Sequence, residues 1–361
     1  MAESGSYDIL SYRKDVVGPI LRNVKSGDSC FVIGAPSVGK TRLMDFLMGD
    51  YLDEKPVDGE AVKEHYLGAQ QASQTWLIRV DMNRIGQEQD WGFCFYELLL
   101  SSLLIASFRH RADESIITML GGLDSDVLES KDVLKAHRFF EMAISRLCHF
   151  YSFKLCFLFD EFDETYKSMP PNIFSQLRAV RDANKYSLSY VLFLRNLPHK
   201  LRSPLDNESF YELLSRNMIG LGPLNRADSF RMLTQLGMRK EFLLSSDKAE
   251  WVYNQSGGHP GLLQGLYSLF RENPLAELKM ADIDWFANQD IVFEELRKIW
   301  NGLLDEERTG ILALINGDFQ DTNRQIANLL MIKGLISPAM ILFSPLLAPA
   351  ITRIQQSDNL F

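Results

Sequence analysis

The sequence predicts an α/β fold on a parallel sheet, followed by an all-helical stretch and a small C-terminal helical unit bearing a hairpin. Three observations carry this. Five apolar runs, at 29–34, 75–83, 154–160, 188–194 and 218–224, are continuous rather than alternating, as strands covered on both faces are. Segments of helical spacing separate them, the alternation expected of a doubly wound sheet. After Pro223 only helical spacing continues. These breaks divide the chain into residues 1–224, 225–280 and 281–361.

In order, VVGPILRNVKS (16–26) reads as a short helix ending at the Gly27-Asp28 turn, and SCFVIG (29–34) as a strand stopped by glycine. An apolar helix, TRLMDFLMGDYL, follows. The polar stretch with Pro56, Gly59 and Gly68 reads as an exposed excursion before the strand TWLIRVDMN (75–83). Residues 91–109 and 131–152 have helical spacing. KLCFLFDEFDE (154–164) is an apolar strand that ends abruptly in carboxylates. The helix IFSQLRAVRDANK, the strand LSYVLFL (188–194) and the run MIGLGPL (218–224) complete the α/β part. From 225 to about 275, NRADSFRMLTQLG, DKAEWVYNQS and HPGLLQGLYSLFREN read as helices, the last opened by the glycines and proline of GGHPG. Residues 290–361 give three helical segments and a two-stranded hairpin around LISPAMILFSP, the pattern of a winged helix.

Composition narrows the class. With 46% hydrophobic and 24% charged residues, the chain is ordinary globular material and not a disordered one. No run of about 18 uncharged apolar residues appears, so no membrane span is expected. The first residues lack the pattern of a secretory signal. Cys30, Cys94, Cys148 and Cys156 have no zinc-type spacing and read as reduced, buried thiols. A cytoplasmic location is expected. A net charge of −9 does not draw polyanions at long range.

The chemistry begins at GAPSVGKT, residues 34–41. Gly34 and Gly39 let the backbone curl so that N–H groups point at phosphate oxygens. The helix that starts at Lys40-Thr41 directs its positive dipole at the same place. Gly34, Ala35, Pro36, Ser37, Val38, Gly39, Lys40, Thr41 and Arg42 are therefore the expected nucleotide-binding residues. Lys40 is expected on the β- and γ-phosphates of ATP, and the Thr41 hydroxyl on Mg²⁺.

The run Cys156-Phe157-Leu158-Phe159 delivers Asp160 and Glu161 to the carboxyl end of a buried strand, the edge where open α/β sheets bind ligands. Asp160 is the expected metal partner through the metal's water shell. Glu161 is placed to orient or deprotonate the attacking water. Asp163 and Glu164 read as charges favoured by a helix N-terminus. Arg195, with Asn196, follows the next strand and is placed to sense a γ-phosphate. Arg216 precedes the last strand and is a candidate either for the γ-phosphate of its own chain or for that of a neighbouring subunit. Arg178 and Arg181 are weaker candidates for that role.

Taken together, GAPSVGKT, LFDE, LFLRN, IGLGPL and GGHP resemble the signal-transducing NTPases with numerous domains, the STAND branch of the AAA+-related phosphate-loop ATPases. The resemblance spans about residues 15–361. The first two motifs belong to phosphate-loop ATPases in general. The last three, in order, point to STAND proteins or to the related archaeal and origin-recognition ATPases. The resemblance implies that Arg195 senses nucleotide and that Gly258-His259-Pro260 packs on the adenine. It further implies that a winged helix closes over ADP, and that ADP-bound monomers exchange with ATP-bound homo-oligomers in signalling or defence. The chain departs from the family twice. All six histidines lie at or before position 259, so a β-phosphate contact from a winged-helix histidine is missing or replaced. No effector domain or repeat sensor is recognisable, which suggests a fragment or separate effector and sensor proteins as partners.

Three functions compete. The first is a slowly hydrolysing Mg·ATP switch. The second is a DNA-associated ATPase of origin-recognition or transposition-helper type. Against it, residues 275–361 hold 7 Lys and Arg against 12 Asp and Glu, and the presumed recognition helix, TNRQIANLLMIKG, offers only Arg324 and Lys333. Phosphate neutralisation needs several basic residues on one face. The third is a scaffold that binds nucleotide without hydrolysing it, for which Glu161 has no use.

Overall fold

The structure, a computed structural model, describes residues 8–49, 57–85, 91–318 and 324–358. The chain packs as two compact units, Met1–Val32 with Thr41–Ile219, and Ile33–Lys40 with Gly220–Phe361.

In the first unit, helix α1 (Lys14–Ser26) stops at Gly27, whose φ of +73° ends the helix in a left-handed turn. Strand β1 (Cys30–Ile33) leads through the glycine loop into α2 (Lys40–Met48). Helices α3 (Val57–Leu67) and α4 (Ala69–Gln74) precede β2 (Thr75–Asp81). Three long helices follow, α5 (Trp91–Arg109), α6 (Glu114–Ser130) and α7 (Val133–Ser145), then β3 (Lys154–Asp160). Helices α8 (Phe162–Ser168) and α9 (Pro171–Ala183) lead to β4 (Leu188–Leu194). Helices α10 (Pro198–Leu201) and α11 (Glu208–Ser215) lead to β5 (Met218–Gly220).

The five strands form one parallel sheet in the order β2-β3-β4-β1-β5. β2 and β3 run in register from Thr75 opposite Lys154 to Asp81 opposite Asp160, and β3 and β4 from Leu155 opposite Leu188 to Phe159 opposite Leu192. Every residue of β1 and β4 is buried, and every residue of β3 except Lys154. That double burial is what the continuous apolar runs anticipate. Because β4 adjoins β3, residues just past the two strands, Asp160-Glu161 and Arg195, emerge at the same sheet edge.

Two expectations change here. Gly59 lies not in an exposed excursion but in α3 of the packed pair α3 and α4, where Val62, Lys63, Leu67 and Ala72 are buried, and Gly68, exposed, joins the two helices. Gly59 serves a close approach: a Cβ there would sit 2.5 Å from Gly49 Cα. Pro56 lies outside the described residues. The second change is α6, seventeen residues with no counterpart in the sequence reading. Ile116, Leu120, Leu123 and Val127 bury one face of it, while Gly121 and Gly122 face open space.

Helix α5 is, among the described residues, the one helix long and apolar enough to cross a membrane. Its buried residues, including Phe95, Leu99 and Leu103, pack against α6, α7 and β2, as in a core helix. Just beyond it His110 stacks on Trp76, ring centroids 5.3 Å apart and nearly coplanar. Burial, followed by the charges of Lys63 and Arg109, lowers the His110 pKa to about 4. The unfolded chain, with an ordinary histidine, therefore binds this proton more tightly than the folded one. Stability from neutral His110 is present above about pH 6.5 and is lost as pH falls towards 4, on the order of 2 kcal/mol. Urea titrations at pH 7 and pH 4.5 should show a smaller acid-induced fall in midpoint for His110→Phe than for the wild type. Equal falls would contradict the buried neutral imidazole.

The second unit is helical. It comprises α12 (Arg226–Lys240), α13 (Ser246–Ser256), α14 (Pro260–Glu272), α15 (Leu275–Leu278) and α16 (Ile283–Ala287). Then come α17 (Asp290–Asn301), α18 (Asp305–Ile315), α19 (Arg324–Ile332) and α20 (Leu347–Asp358). Asn225 and Ser245 cap α12 and α13 through the Asp228 and Lys248 amides. Helix α14 is the hub, packing on α12, α13 and α17. The expected hairpin is present in reduced form, one antiparallel bridge between Ile336 and Leu342 flanked by the bond from Phe343 N–H to Leu335. A helix, α20, follows it, where the sequence reading has the hairpin last. Lys333 Nζ meets Glu307 at 2.7 Å with both side chains at most 2% exposed, tying α18 to the turn after α19.

Candidate phosphate-binding site

The glycine loop keeps the curl its sequence implies. Ser37 has φ +55° and Gly39 φ +94°, left-handed conformations that turn the backbone inward on itself. A Cβ at Gly34 would lie 2.8 Å from Val38 Cγ1 and 2.9 Å from the Leu221 carbonyl, so only glycine closes the loop there. Lys40 is 5% exposed. Its ammonium donates to the carbonyls of Gly34 at 2.9 Å and Ala35 at 3.1 Å, which places the charge over the loop's concavity.

The loop belongs to the second unit, and the helices of that same unit pack on its outside. His259, fully buried, donates from Nε2 to the Pro36 carbonyl at 3.0 Å and packs its ring on Phe343. A carbonyl can only accept, so Nε2 carries the proton. His259 thus acts on the loop backbone, and Pro260 stands at the first turn of α14. Gly258, at φ +77°, accepts the Leu224 amide, and a Cβ there would come within 2.0 Å of the Leu224 carbonyl. Gly302, after α17, lies so close to Pro36 that a Cβ would meet its Cγ at 2.3 Å. Two segments, the start of α14 and the turn after α17, therefore press on Pro36.

In the first unit, the α2 start meets the end of β3. Thr41 Oγ1 donates to Asp160 Oδ2 at 3.1 Å. The same oxygen accepts from Arg79 Nη2 at 2.8 Å, and Arg79 Nη1 reaches Asp45 Oδ1 at 3.1 Å. Burial raises the Asp160 pKa, against the opposing pull of Arg79 and the Thr41 hydroxyl. Thr41 and Asp160 bring a hydroxyl and a carboxylate together, the hard oxygen pair with which Mg²⁺ is held beside a phosphate. On that chemistry the residues fit the metal.

Glu161 has φ +50°, an uncommon conformation for its type, and begins α8. Its carboxylate is paired with the Arg195 guanidinium. The backbone amides of Arg195 and Asn196 both donate to the Asp163 carboxylate, at 2.9 to 3.2 Å. Asp163, expected only as a helix-end charge, thus fastens α8 to the end of β4 and sets where Arg195 starts. Arg42, half-buried, follows Thr41 in the first turn of α2.

The remaining arginines lie elsewhere. Arg216 is exposed at the end of α11, beside Asn217, whose side chain donates to the Ser29 carbonyl. That is the amino end of the strands, opposite Asp160 and Arg195 and about 20 Å away along seven residues of strand. Service to its own chain's γ-phosphate is therefore excluded. Arg178 binds Asp182 and the Ser209 carbonyl, and Arg181 is buried on the Gly27 carbonyl. Both are structural. Arg79 and Asp45 are absent from the sequence reading. The signals for them are a lone cation in an apolar strand and a carboxylate four residues after Thr41, on the same helix face.

Sheet and loop define the class, an α/β phosphate-loop fold whose parallel five-stranded sheet carries the glycine loop between β1 and α2, with a helical C-terminal part. No protein-family model and no curated protein matches the sequence. The Walker-type ATPase of Pyrococcus abyssi is similar in structure, with a TM-score of 0.50 and 11% identity over 94% of this chain and 95% of that one. The Aeropyrum pernix Orc1 protein in complex with DNA aligns with a TM-score of 0.41, 13% identity, and 99% and 97% of the two chains. Cdc6p from Pyrobaculum aerophilum gives 0.40, 12%, and 99% and 97%. Of these three, the first reaches 0.5, and at such identity the likeness is one of fold.

Proposed function

We propose that the chain is an Mg²⁺-dependent ATPase working as a switch of STAND type, whose ATP or ADP state controls its conformation and self-assembly in signalling or defence. The observation that carries the reading is the Arg195–Glu161 pair. In this reading Arg195, the γ-phosphate sensor, is the residue that holds Glu161, the carboxylate that orients water. A γ-phosphate that draws Arg195 away frees Glu161, so hydrolysis becomes conditional on nucleotide state. Thr41 and Asp160 would hold Mg²⁺, which would supply positive charge to the phosphate oxygens. Lys40 would supply charge to the phosphates, and Glu161 would orient the water. Arg216, exposed at the far end of the sheet, suits the γ-phosphate of a neighbouring subunit. Size exclusion with light scattering tests the proposal. An ADP-bound monomer and a larger species with a non-hydrolysable ATP analogue are expected, and a monomer in every state would count against it.

The helix–helix–hairpin unit favours a second reading, a DNA-associated ATPase. Lys333, one of the two cations on its presumed recognition segment, is buried on Glu307. That leaves Arg324 as the segment's exposed base. Duplex binding at micromolar protein that weakens with salt would move the function to this reading.

A further inference from the structure

We propose that Arg79 is an electrostatic latch on the metal site, holding Asp160 until metal displaces it towards Asp45. The inference rests on the nucleotide-site reading above and adds a positioning residue to it.

Asp160 Oδ2 is engaged twice, by the Thr41 hydroxyl at 3.1 Å and by Arg79 Nη2 at 2.8 Å. The carboxylate is 3% exposed, so its charge is poorly served by solvent and the guanidinium is its main compensation. A cation arriving between Thr41 and Asp160 meets the Arg79 charge at ion-pair distance from its own ligand. Like charges at such separations repel by several kcal/mol at a protein surface. Metal binding and the Arg79–Asp160 pair therefore compete.

The structure gives the guanidinium somewhere to go. Its other nitrogen, Nη1, is already on Asp45, which sits one turn after Thr41 on α2. Arg79 also lines a cavity of about 300 Å³ shared with Asp81, Arg84, Ser102, Ile105 and Arg109. Its buried Nε has no acceptor among the described residues, so leaving Asp160 forfeits one bond and not a complete fork. Asp45, already bonded to Nη1, is the resting partner. Without metal, the same pair keeps a buried carboxylate compensated.

The test is Mn²⁺ binding to the full chain with ADP, followed by electron paramagnetic resonance of the free ion. Nucleotide binding in EDTA and the metal-free melting temperature are measured alongside. Arg79→Gln is expected to bind Mn²⁺ about tenfold more tightly than the wild type, as one nearby like charge is removed. Its nucleotide binding in EDTA stays unchanged. Asp45→Asn takes away the resting partner and is expected to weaken Mn²⁺ binding about threefold, an effect largely lost in the Arg79→Gln background. Equal or weaker Mn²⁺ binding by Arg79→Gln overturns the latch, as does an Asp45→Asn effect that is simply additive. If Arg79→Gln does not fold, Arg79→Lys decides. With its fork replaced by a point charge, Mn²⁺ binding weaker than wild type would overturn the latch, and equal or tighter binding would support it. A wild type that binds no nucleotide even in EDTA would overturn the nucleotide-site reading instead.

Discussion

Lys40→Ala should bind ATP and ADP at least about 100-fold more weakly than the wild type, since the lost ammonium makes charge-assisted bonds in a site sheltered from water. The Lys40 ammonium is buried and bridges the Gly34 and Ala35 carbonyls. Removing it takes the proposed counter-charge from the phosphates and costs the Gly34 carbonyl its Lys40 bond, while the Ala35 carbonyl keeps the Val38 amide. The loop should nonetheless persist, because Ser37 and Gly39 keep their left-handed turns and His259 still holds the Pro36 carbonyl. Titration calorimetry with each nucleotide measures the effect, and the melting temperature without nucleotide checks the fold. Affinity within about threefold of wild type would remove Lys40 from the phosphate site.

Glu161→Gln should keep nucleotide affinity and lose about 100-fold or more in turnover, the range general-base groups contribute. Glutamine has the same shape and can still accept from Arg195, so α8 begins unchanged. It cannot take a proton from water. Asp160, the proposed metal ligand, is untouched by the change and keeps its bonds to Thr41 and Arg79. Phosphate release at saturating Mg·ATP reports the loss. Normal hydrolysis by this variant would hand the role to another residue and end the assignment of Glu161.

Much of this architecture was legible because double burial leaves a plain trace. CFVI, KLCFLFD and LSYVLFL could only be central parallel strands, and Asp160 and Arg195 follow from where those runs stop. The loop was legible because its chemistry is written in consecutive residues. What escaped depends on the path of the chain in space. Helix α6 hides behind Gly121-Gly122, which reads as a break but occupies an open helix face that glycine merely tolerates. The pair α3 and α4 hides behind polar composition, since Val62, Leu67 and Ala72 suffice to bury one side. Gly59 looks like a turn and is a close helix approach. Arg79 and Asp163 escaped for a further reason: their partners, Asp160 and the Arg195 amide, lie 81 and 32 residues away. Arg216 lost half of its expected role once the strand direction put it at the opposite sheet edge from Asp160.

On the proposed function, γ-phosphate sensed at Arg195 and removed through Glu161 decides whether the chain assembles. Time-resolved light scattering after Mg·ATP addition tests it most directly, with wild type and Glu161→Gln side by side. The wild type should assemble and then fall back to monomer as phosphate is released, whereas Glu161→Gln should assemble and stay assembled. Scattering that never rises in either protein, or that decays equally in both, would contradict it.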